Sequence, residues 1–234
     1  MEGGRAAQSS PEARFDAITT AQRWEDLPDA FGAFLNGPGA PAQKLERVRR
    51  WLTAKVDAGE GTAGLAAVLA KLHRDAGRPL EAVFYLTYAR ALVLIDGRSC
   101  VDRTAPSDKL RNLVTYHSDL DGAFRALPGA GRSAVVDRAV ALEAATWQAR
   151  RRSPNRWLCS GGTDEMRRSV ERGVPAGPPM VVPGRLGTQS VVPRDPSYVP
   201  TFRGAEDWAR DRAELLPHLG DLLFQLARTP RAPS

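Results

Sequence analysis

Apolar side chains recur at the spacing of an α-helix in most of the chain. Segment 79–95 is apolar on nearly every side, and a helix with almost no polar face belongs at the centre of a bundle. The pattern predicts an all-α fold, an irregular bundle of six to seven helices around a central helix. The predicted helices cover residues 42–57, 62–75, 79–95, 107–119, 133–150, 163–172 and about 204–228, the last of which Pro217 should kink or split.

Residues 174–203 lack this periodicity and contain seven prolines. The stretch "MVVPGRLGTQSVV" in this segment has two β-branched runs around Pro-Gly and Gly, which favours a small β-hairpin. A long irregular segment in a compact domain is functional, draped over the core or mobile. We expect its apolar residues to form an interaction surface. The residues are Met180, Val181, Val191 and Tyr198.

The composition is ordinary for a globular protein, with 42% hydrophobic and 26% charged residues. We predict one helical domain over residues 15–228, which includes the Pro-rich excursion 174–203. Residues 1–14 are rich in Gly, Ala and Ser, and we expect them to be disordered, together with the tail 229–234.

The stretch "LHRDAGRPLEAVFYLTYARAL", residues 72–92, resembles the helix–turn–helix unit of a tetratricopeptide-like repeat. Such repeats recur about every 34 residues and need three or more copies for stability. The chain has no second copy at that distance, where the sequence begins with Pro106. Two antiparallel helices joined by a short Gly turn also occur generally in helical bundles, so the stretch predicts a helical hairpin.

The net charge of +6 suggests a nucleic-acid partner, but the basic residues are dispersed over the whole chain. All but four of the 33 basic residues are Arg, a skew typical of a GC-rich, bacterial-like composition. One cluster stands out, and it lies at the end of a predicted helix, where cations also complement the helix dipole. Its members are Arg150, Arg151, Arg152 and Arg156.

No motif predicts a metal site or a bound cofactor. The three histidines, His73, His117 and His218, lack zinc-ligand spacing, and no C-x-x-C or phosphate-binding loop is present. His117 falls on the apolar stripe of its predicted helix, where a histidine is usually a core residue. We expect neither a cofactor nor a metal.

The two cysteines, Cys100 and Cys159, each lie in a polar loop that leads into a helix. Three interpretations are open: a nucleophilic Cys159, a disulfide between the two, or two unlinked thiols. A thiolate at Cys159 is disfavoured by Asp164 and Glu165 in the next predicted helix, whose N-cap we expect at Thr163. A disulfide implies an oxidising compartment.

The sequence as written carries no secretory signal, and its longest apolar run is too short to cross a membrane. We therefore expect a soluble, cytoplasmic protein, or an exported, periplasmic one if an upstream leader is missing. The first functional hypothesis is a non-catalytic protein that binds an unknown protein partner or has a structural role. An enzyme site near Asp102 and Cys159, with His117, Arg98 and Arg103, is the alternative, and nucleic-acid binding by the arginine cluster is the third hypothesis.

Overall fold

The computed structural model describes residues 10–173, 183–184, 187–188 and 197–228. The chain divides into two compact units, Met1–Lys55 and Val56–Ser234. Helices account for most of the described residues, so the fold is all-α, as the apolar periodicity predicts. None of the helices described is long and apolar enough to cross a membrane.

The first unit holds its aromatic side chains together. The Phe15 ring contacts those of Phe31 and Trp51 edge-to-face, with centroids 4.8 Å and 5.4 Å apart. Such contacts add to the burial of apolar area. Its helices are α1 (Pro11–Thr20), α2 (Leu27–Asn36) and α3 (Pro41–Asp57), the last of which ends in the second unit.

Helix α1 begins inside the stretch 1–14 for which the sequence predicts disorder. The Ser10 side chain accepts a hydrogen bond from the Ala13 backbone N–H at 3.1 Å, and Pro11 occupies the first helical position. A Ser N-cap followed by Pro is a strong helix start. The prediction is therefore wrong for residues 11–14, because these local signals outweigh the Gly- and Ala-rich composition.

In its described residues, the second unit contains the remaining helices and a short strand pair. Strands β1 (Pro183–Gly184) and β2 (Gly187–Thr188) pair antiparallel. The rest of the segment in which we predict the hairpin lies outside the described residues, so the hairpin stays a prediction. The helices are α4 (Ala63–Asp75), α5 (Pro79–Asp96), α6 (Thr104–Tyr116), α7 (Ser118–Ala126), α8 (Gly129–Arg152), α9 (Arg156–Cys159), α10 (Thr163–Glu171), α11 (Ala205–Leu215) and α12 (Leu219–Arg228).

Helices α4 and α5 form the predicted helical hairpin, with Gly77 in the turn at φ +69°. Of the 18 residues of α5, 14 are buried, and the helix also packs against α6, α7 and α8. Arg90, the one basic residue within this apolar helix, donates two hydrogen bonds to the buried Asp121 carboxylate of α7. A buried charge needs such a partner.

Single residues break two of the helical segments predicted from the sequence. Segment 107–119 breaks at His117, which separates α6 from α7. Pro217 splits the terminal segment, as predicted, and lies in a 3-10 turn between α11 and α12. In α11 the Trp208 indole is buried and donates to the Ile95 carbonyl oxygen at 3.0 Å, which attaches this helix to the end of α5.

Candidate functional site

The end of the Pro-rich segment packs on the chain that follows α5. Cys100 and Phe202 form an isolated antiparallel bridge, in which the Val101 N–H donates to the Thr201 carbonyl at 3.1 Å. Tyr198 is 5% exposed and therefore does not present an exposed apolar surface, which corrects the expectation for this residue. Its burial follows from contacts with Asp164 and Arg168 of α10, which its sequence neighbours do not reveal. Met180, Val181 and Val191 lie outside the described residues.

Cys100 and Cys159 lie at disulfide distance, with their sulfurs 1.94 Å apart and their Cα atoms 5.2 Å apart. Both are buried. Of the three interpretations of the cysteines, this geometry agrees with the disulfide and leaves no separate Cys159 thiolate. The pair joins the end of α9 to the chain that follows α5, directly beside the bridge to Phe202.

Asp102 and Thr104, which follow Cys100, cap helix α10 from 62 and 59 residues away in sequence. The Asp102 Oδ2 atom accepts a hydrogen bond from the Asp164 backbone N–H at 2.8 Å. The Thr104 Oγ1 atom accepts one from the Thr163 N–H, also at 2.8 Å. The first backbone N–H groups of a helix have no partner within it, so these two side chains supply what α10 lacks.

The same two side chains also support the start of α6. Asp102 Oδ1 accepts from the backbone N–H of Thr104 at 2.9 Å and from its hydroxyl at 2.6 Å. Burial raises the pKa of Asp102, but the hydrogen bonds from Thr104 and the Asp164 backbone outweigh it, and the net pKa is lowered. Asp102 is therefore an ionised cap shared by two helices.

Thr163 is not the N-cap of α10, contrary to the prediction. It is the first helical residue, Gly162 precedes it at the cap, and the capping oxygens come from elsewhere in the chain. Glu165, at the third helical position, accepts through Oε2 a hydrogen bond from the N–H of Gly161, one residue before the cap, at 2.6 Å, a variant of the capping box. Local sequence cannot reveal a cap that is donated across the tertiary structure.

A cleft of about 440 Å³ lies between α10 and the returning chain 198–201, with Cys159 and Asp102 in its lining. Apolar side chains line one part of it, and Thr163 and Thr201 add hydroxyl groups. Val101, which is part of the lining, is 54% exposed. Val199, which lies in sequence between the lining residues Tyr198 and Pro200, is 66% exposed. The volume is within the range of known ligand pockets.

Arginines provide the exposed polar part of this cleft. Arg167 and Arg168 of α10 are 60% and 43% exposed, and both form ion pairs with Asp164. The Tyr198 hydroxyl also donates to Asp164 at 3.3 Å, while the Arg168 guanidinium lies 5.6 Å from the centre of the Tyr198 ring. The hydrogen bond from Arg167 lowers the pKa of Asp164, more than burial raises it. The carboxylates are thus engaged, and the two guanidinium groups face solvent.

One member of the predicted arginine cluster is buried rather than at the surface. Arg150 is 5% exposed and pairs with Asp96 and Glu143. Of the others, Arg151 pairs with Glu206, and Arg152 and Arg156 donate to backbone carbonyls of Gln148 and Tyr198. The correction for Arg150 has a physical reason: helix α8 continues to Arg152, and its periodicity places Arg150 on the same face as the buried Glu143 and Trp147.

Sequence reasoning missed the buried charge cluster that Arg150 belongs to. Glu143, fully buried, joins Arg150 to Arg212 of α11, and burial raises the pKa of Asp96 to about 6. The nearby Arg150 guanidinium opposes this rise, whereas the Glu143 charge adds to it. The only sequence signal is that Glu143 and Arg150 are seven residues apart, on the same face of one helix.

The other predicted site residues lie away from the cleft lining. His117 separates α6 from α7, and burial lowers its pKa. Arg98 and Arg103 line a different cavity. Among the described residues, no group of three or more His, Cys, Asp or Glu side chains could hold a metal ion. Compared with protein-family models, curated proteins and solved structures, the chain gives no significant match.

Proposed function

We propose that the protein is a non-catalytic binding protein that holds an extended segment of a protein partner in the cleft between α10 and residues 198–201. The observation that carries the proposal is which groups of the cleft lining remain exposed and which are engaged within the protein. Its carboxylates and sulfurs are engaged within the protein, and Arg167 and Arg168, although paired with Asp164, remain 60% and 43% exposed. Val101 in the same lining is also exposed. A partner segment that suits this lining has an acidic side chain beside an apolar one.

Asp102 and Cys159 are already bonded within the protein, which favours a binding function over catalysis. A general base must be available to a substrate proton, and a nucleophilic cysteine must be a free thiolate. Asp102 accepts three hydrogen bonds and is needed by two helices, and Cys159 is at bonding distance from Cys100. By contrast, a guanidinium can pair with a partner carboxylate through two parallel hydrogen bonds without any change in the fold.

Selection from a random peptide library tests the proposal. We expect the selected peptides to contain an acidic residue next to an apolar or aromatic residue. Their Kd should rise at least about tenfold in an Arg167→Ser/Arg168→Ser variant, because each lost charge-assisted hydrogen bond contributes about 1.5–3 kcal/mol.

The matched control is Arg111→Ser/Arg210→Ser. These two arginines are 71% and 62% exposed, and each pairs with an aspartate three residues earlier, as Arg167 does. The control removes the same charge outside the cleft lining and should leave the Kd unchanged. Equal affinity for both double variants, or selected peptides without acidic residues, would contradict the proposal.

One observation favours an enzyme as the second candidate: Asp102 and Cys159 line the same cleft. Chemistry there requires that the Cys100–Cys159 pair be reduced, which would give a thiolate at the cleft. Hydrolysis of p-nitrophenyl acetate is the measurement, with and without dithiothreitol. Turnover that appears on reduction and is absent in Cys159→Ser would favour the enzyme, and no such difference would favour the binding protein.

The cysteine geometry also supports an oxidising compartment as the place where the protein acts, because disulfides persist there and are reduced in the cytosol. Alkylation of free thiols in intact cells, followed by a mobility-shift assay, tests this localisation. We expect both cysteines to be protected until reductant is added. Complete alkylation of both cysteines in untreated cells would contradict an oxidising location.

A further inference from the structure

A second cavity, of about 250 Å³, lies at the end of α5 and beside the first turn of α6. It does not share lining residues with the cleft described above. One wall is apolar and consists of Val93, Leu94 and Leu110, and the guanidinium-bearing side chains of Arg98 and Arg103 line another part. The cavity therefore combines an apolar pocket with positive charge.

The positive charge at this cavity exceeds the negative charge that balances it. Arg103 donates to Asp211 at 3.3 Å and to the Gly97 carbonyl at 3.0 Å, and Arg203 pairs with the same Asp211. Arg98 is exposed and makes no ion pair with any residue that the structure describes. Two guanidinium groups thus share one carboxylate, and a third, that of Arg98, has no carboxylate partner among the described residues.

The arginines are close enough to affect one another. Burial lowers the pKa of Arg103, and the charges of Arg203 and Arg98 lower it further, against the opposing effect of the hydrogen bond to Asp211. Like charges that repel one another in a partly enclosed cavity are stabilised by a bound anion. The planar fork of an arginine side chain suits an oxyanion with two oxygens in one plane.

We propose that this cavity binds a small organic oxyanion, a carboxylate or a phosphate monoester that carries a short apolar chain. The head group pairs with Arg98 and Arg103 at the mouth of the cavity. The chain contacts Val93, Leu94 and Leu110 on the apolar wall. Neither the head group nor the apolar chain should bind tightly alone. A solvent-exposed ion pair is weak, and the apolar contact area is small.

Calorimetric titration with hexanoate, acetate and hexanol separates the two contributions. We expect hexanoate to bind at least about tenfold more tightly than acetate, which lacks the apolar chain, or hexanol, which lacks the charge. Arg98→Gln should weaken hexanoate binding about tenfold through the loss of a charge-assisted hydrogen bond. Leu110→Gln should reduce hexanoate to the affinity of acetate and leave acetate binding unchanged.

Arg78→Gln is the matched control, because Arg78 is exposed and precedes the opposite end of α5, about 25 Å away. Circular dichroism of each variant checks that the fold is retained. Equal hexanoate affinity in Arg98→Gln and Arg78→Gln would overturn the proposal, as would equal affinity for hexanoate and acetate in the unmodified protein. A parallel titration with hexyl phosphate identifies the preferred head group, and tighter binding of either supports the proposal. Arg167→Ser/Arg168→Ser should bind hexanoate normally, so this result is independent of the peptide experiment.

Discussion

Asp102 and Asp164 are 62 residues apart in sequence, yet the carboxylate of the first accepts a hydrogen bond from the backbone N–H of the second at 2.8 Å. The start of α10 is therefore completed by a residue outside that helix. The Cys100–Cys159 pair connects the same two parts of the chain, two residues before Asp102 and four residues before Thr163. Together these contacts hold one wall of the cleft.

Substitution of Asp102 by Ala should lower the free energy of unfolding by about 2 kcal/mol, because two helices lose a capping oxygen that contributes about 1 kcal/mol each. Urea unfolding followed by circular dichroism measures this loss. Asp108→Ala, which removes an exposed aspartate from α6, should change stability by less than about 0.5 kcal/mol. If Asp102→Ala were as stable as the control, the cap would contribute nothing.

The same cap predicts a pH dependence. The folded-state pKa of Asp102 is lowered, so its contribution is fully present above the unfolded-state value of about 4 and is lost as the pH falls through the folded-state value. The stability difference between the unmodified protein and Asp102→Ala should therefore shrink below about pH 4. Urea unfolding at pH 3 and at pH 6 gives the comparison, and a difference that stays constant would contradict it.

Gly162→Ala should be destabilising, by about 1–3 kcal/mol. A Cβ atom at this position would lie 2.3 Å from Asp102 Oδ2 and 2.8 Å from Thr104 Oγ1, so the capping side chains would have to move. Gly122→Ala, within α7, is the control, since a Cβ there meets nothing within 4 Å and alanine is the better helix former. Thermal unfolding should show a lower Tm for the first variant and an equal or higher Tm for the second.

Replacement of both cysteines by alanine should lower the free energy of unfolding by about 4 kcal/mol, the chain-entropy value for a link across 59 residues. Thiol titration of denatured protein supplies the direct check, with no free thiol expected before reduction and two afterwards. Two reactive thiols in the unreduced protein would mean that the cysteines are unlinked. In that case the double variant should lose much less stability.

The buried carboxylate of Asp96 should make stability fall as the pH rises. Its folded-state pKa is about 6, above the unfolded-state value, so its contribution is fully present below about pH 4 and is lost as the pH rises through 6. The stability of Asp96→Asn relative to the unmodified protein should therefore increase between pH 4 and pH 7, by up to about 3 kcal/mol. Asp108→Asn should show no such trend. A relative stability that decreases over this range would mean that Arg150 stabilises the charged form more than burial opposes it.

Much of the secondary structure follows from the sequence because helical periodicity is a local property. Leu65 and Leu69 face inward in α4, Gly77 closes that helix, and Pro217 divides the last one. Helix boundaries that depend on residues distant in sequence cannot be predicted in this way. Thr163 carries a typical capping side chain, but it is the first helical residue, because Gly162 takes the cap position and Asp102 and Thr104 supply the capping oxygens.

The candidate site was predictable only in its parts. Asp102 and Cys159 are both candidates in the sequence, since each stands at a break between helices, yet nothing in the spacing requires that they line one cleft. Tyr198 and Arg150 were expected at the surface and are buried. In both cases a partner distant in sequence decides burial: Asp164 for the tyrosine, and Asp96 for the arginine.

By itself, the sequence determined the all-α class and the apolar character of α5, because hydrophobic periodicity and the Gly and Pro breaks act within a few residues. Only the tertiary structure decided which polar groups meet: Cys100 with Cys159, Asp102 with Asp164, and Arg150 with Asp96 and Glu143. These contacts depend on how separate helices pack. The packing of the apolar faces decides which buried polar groups still need a hydrogen-bond partner. Which of these groups then pair with one another is therefore a property of the whole folded chain.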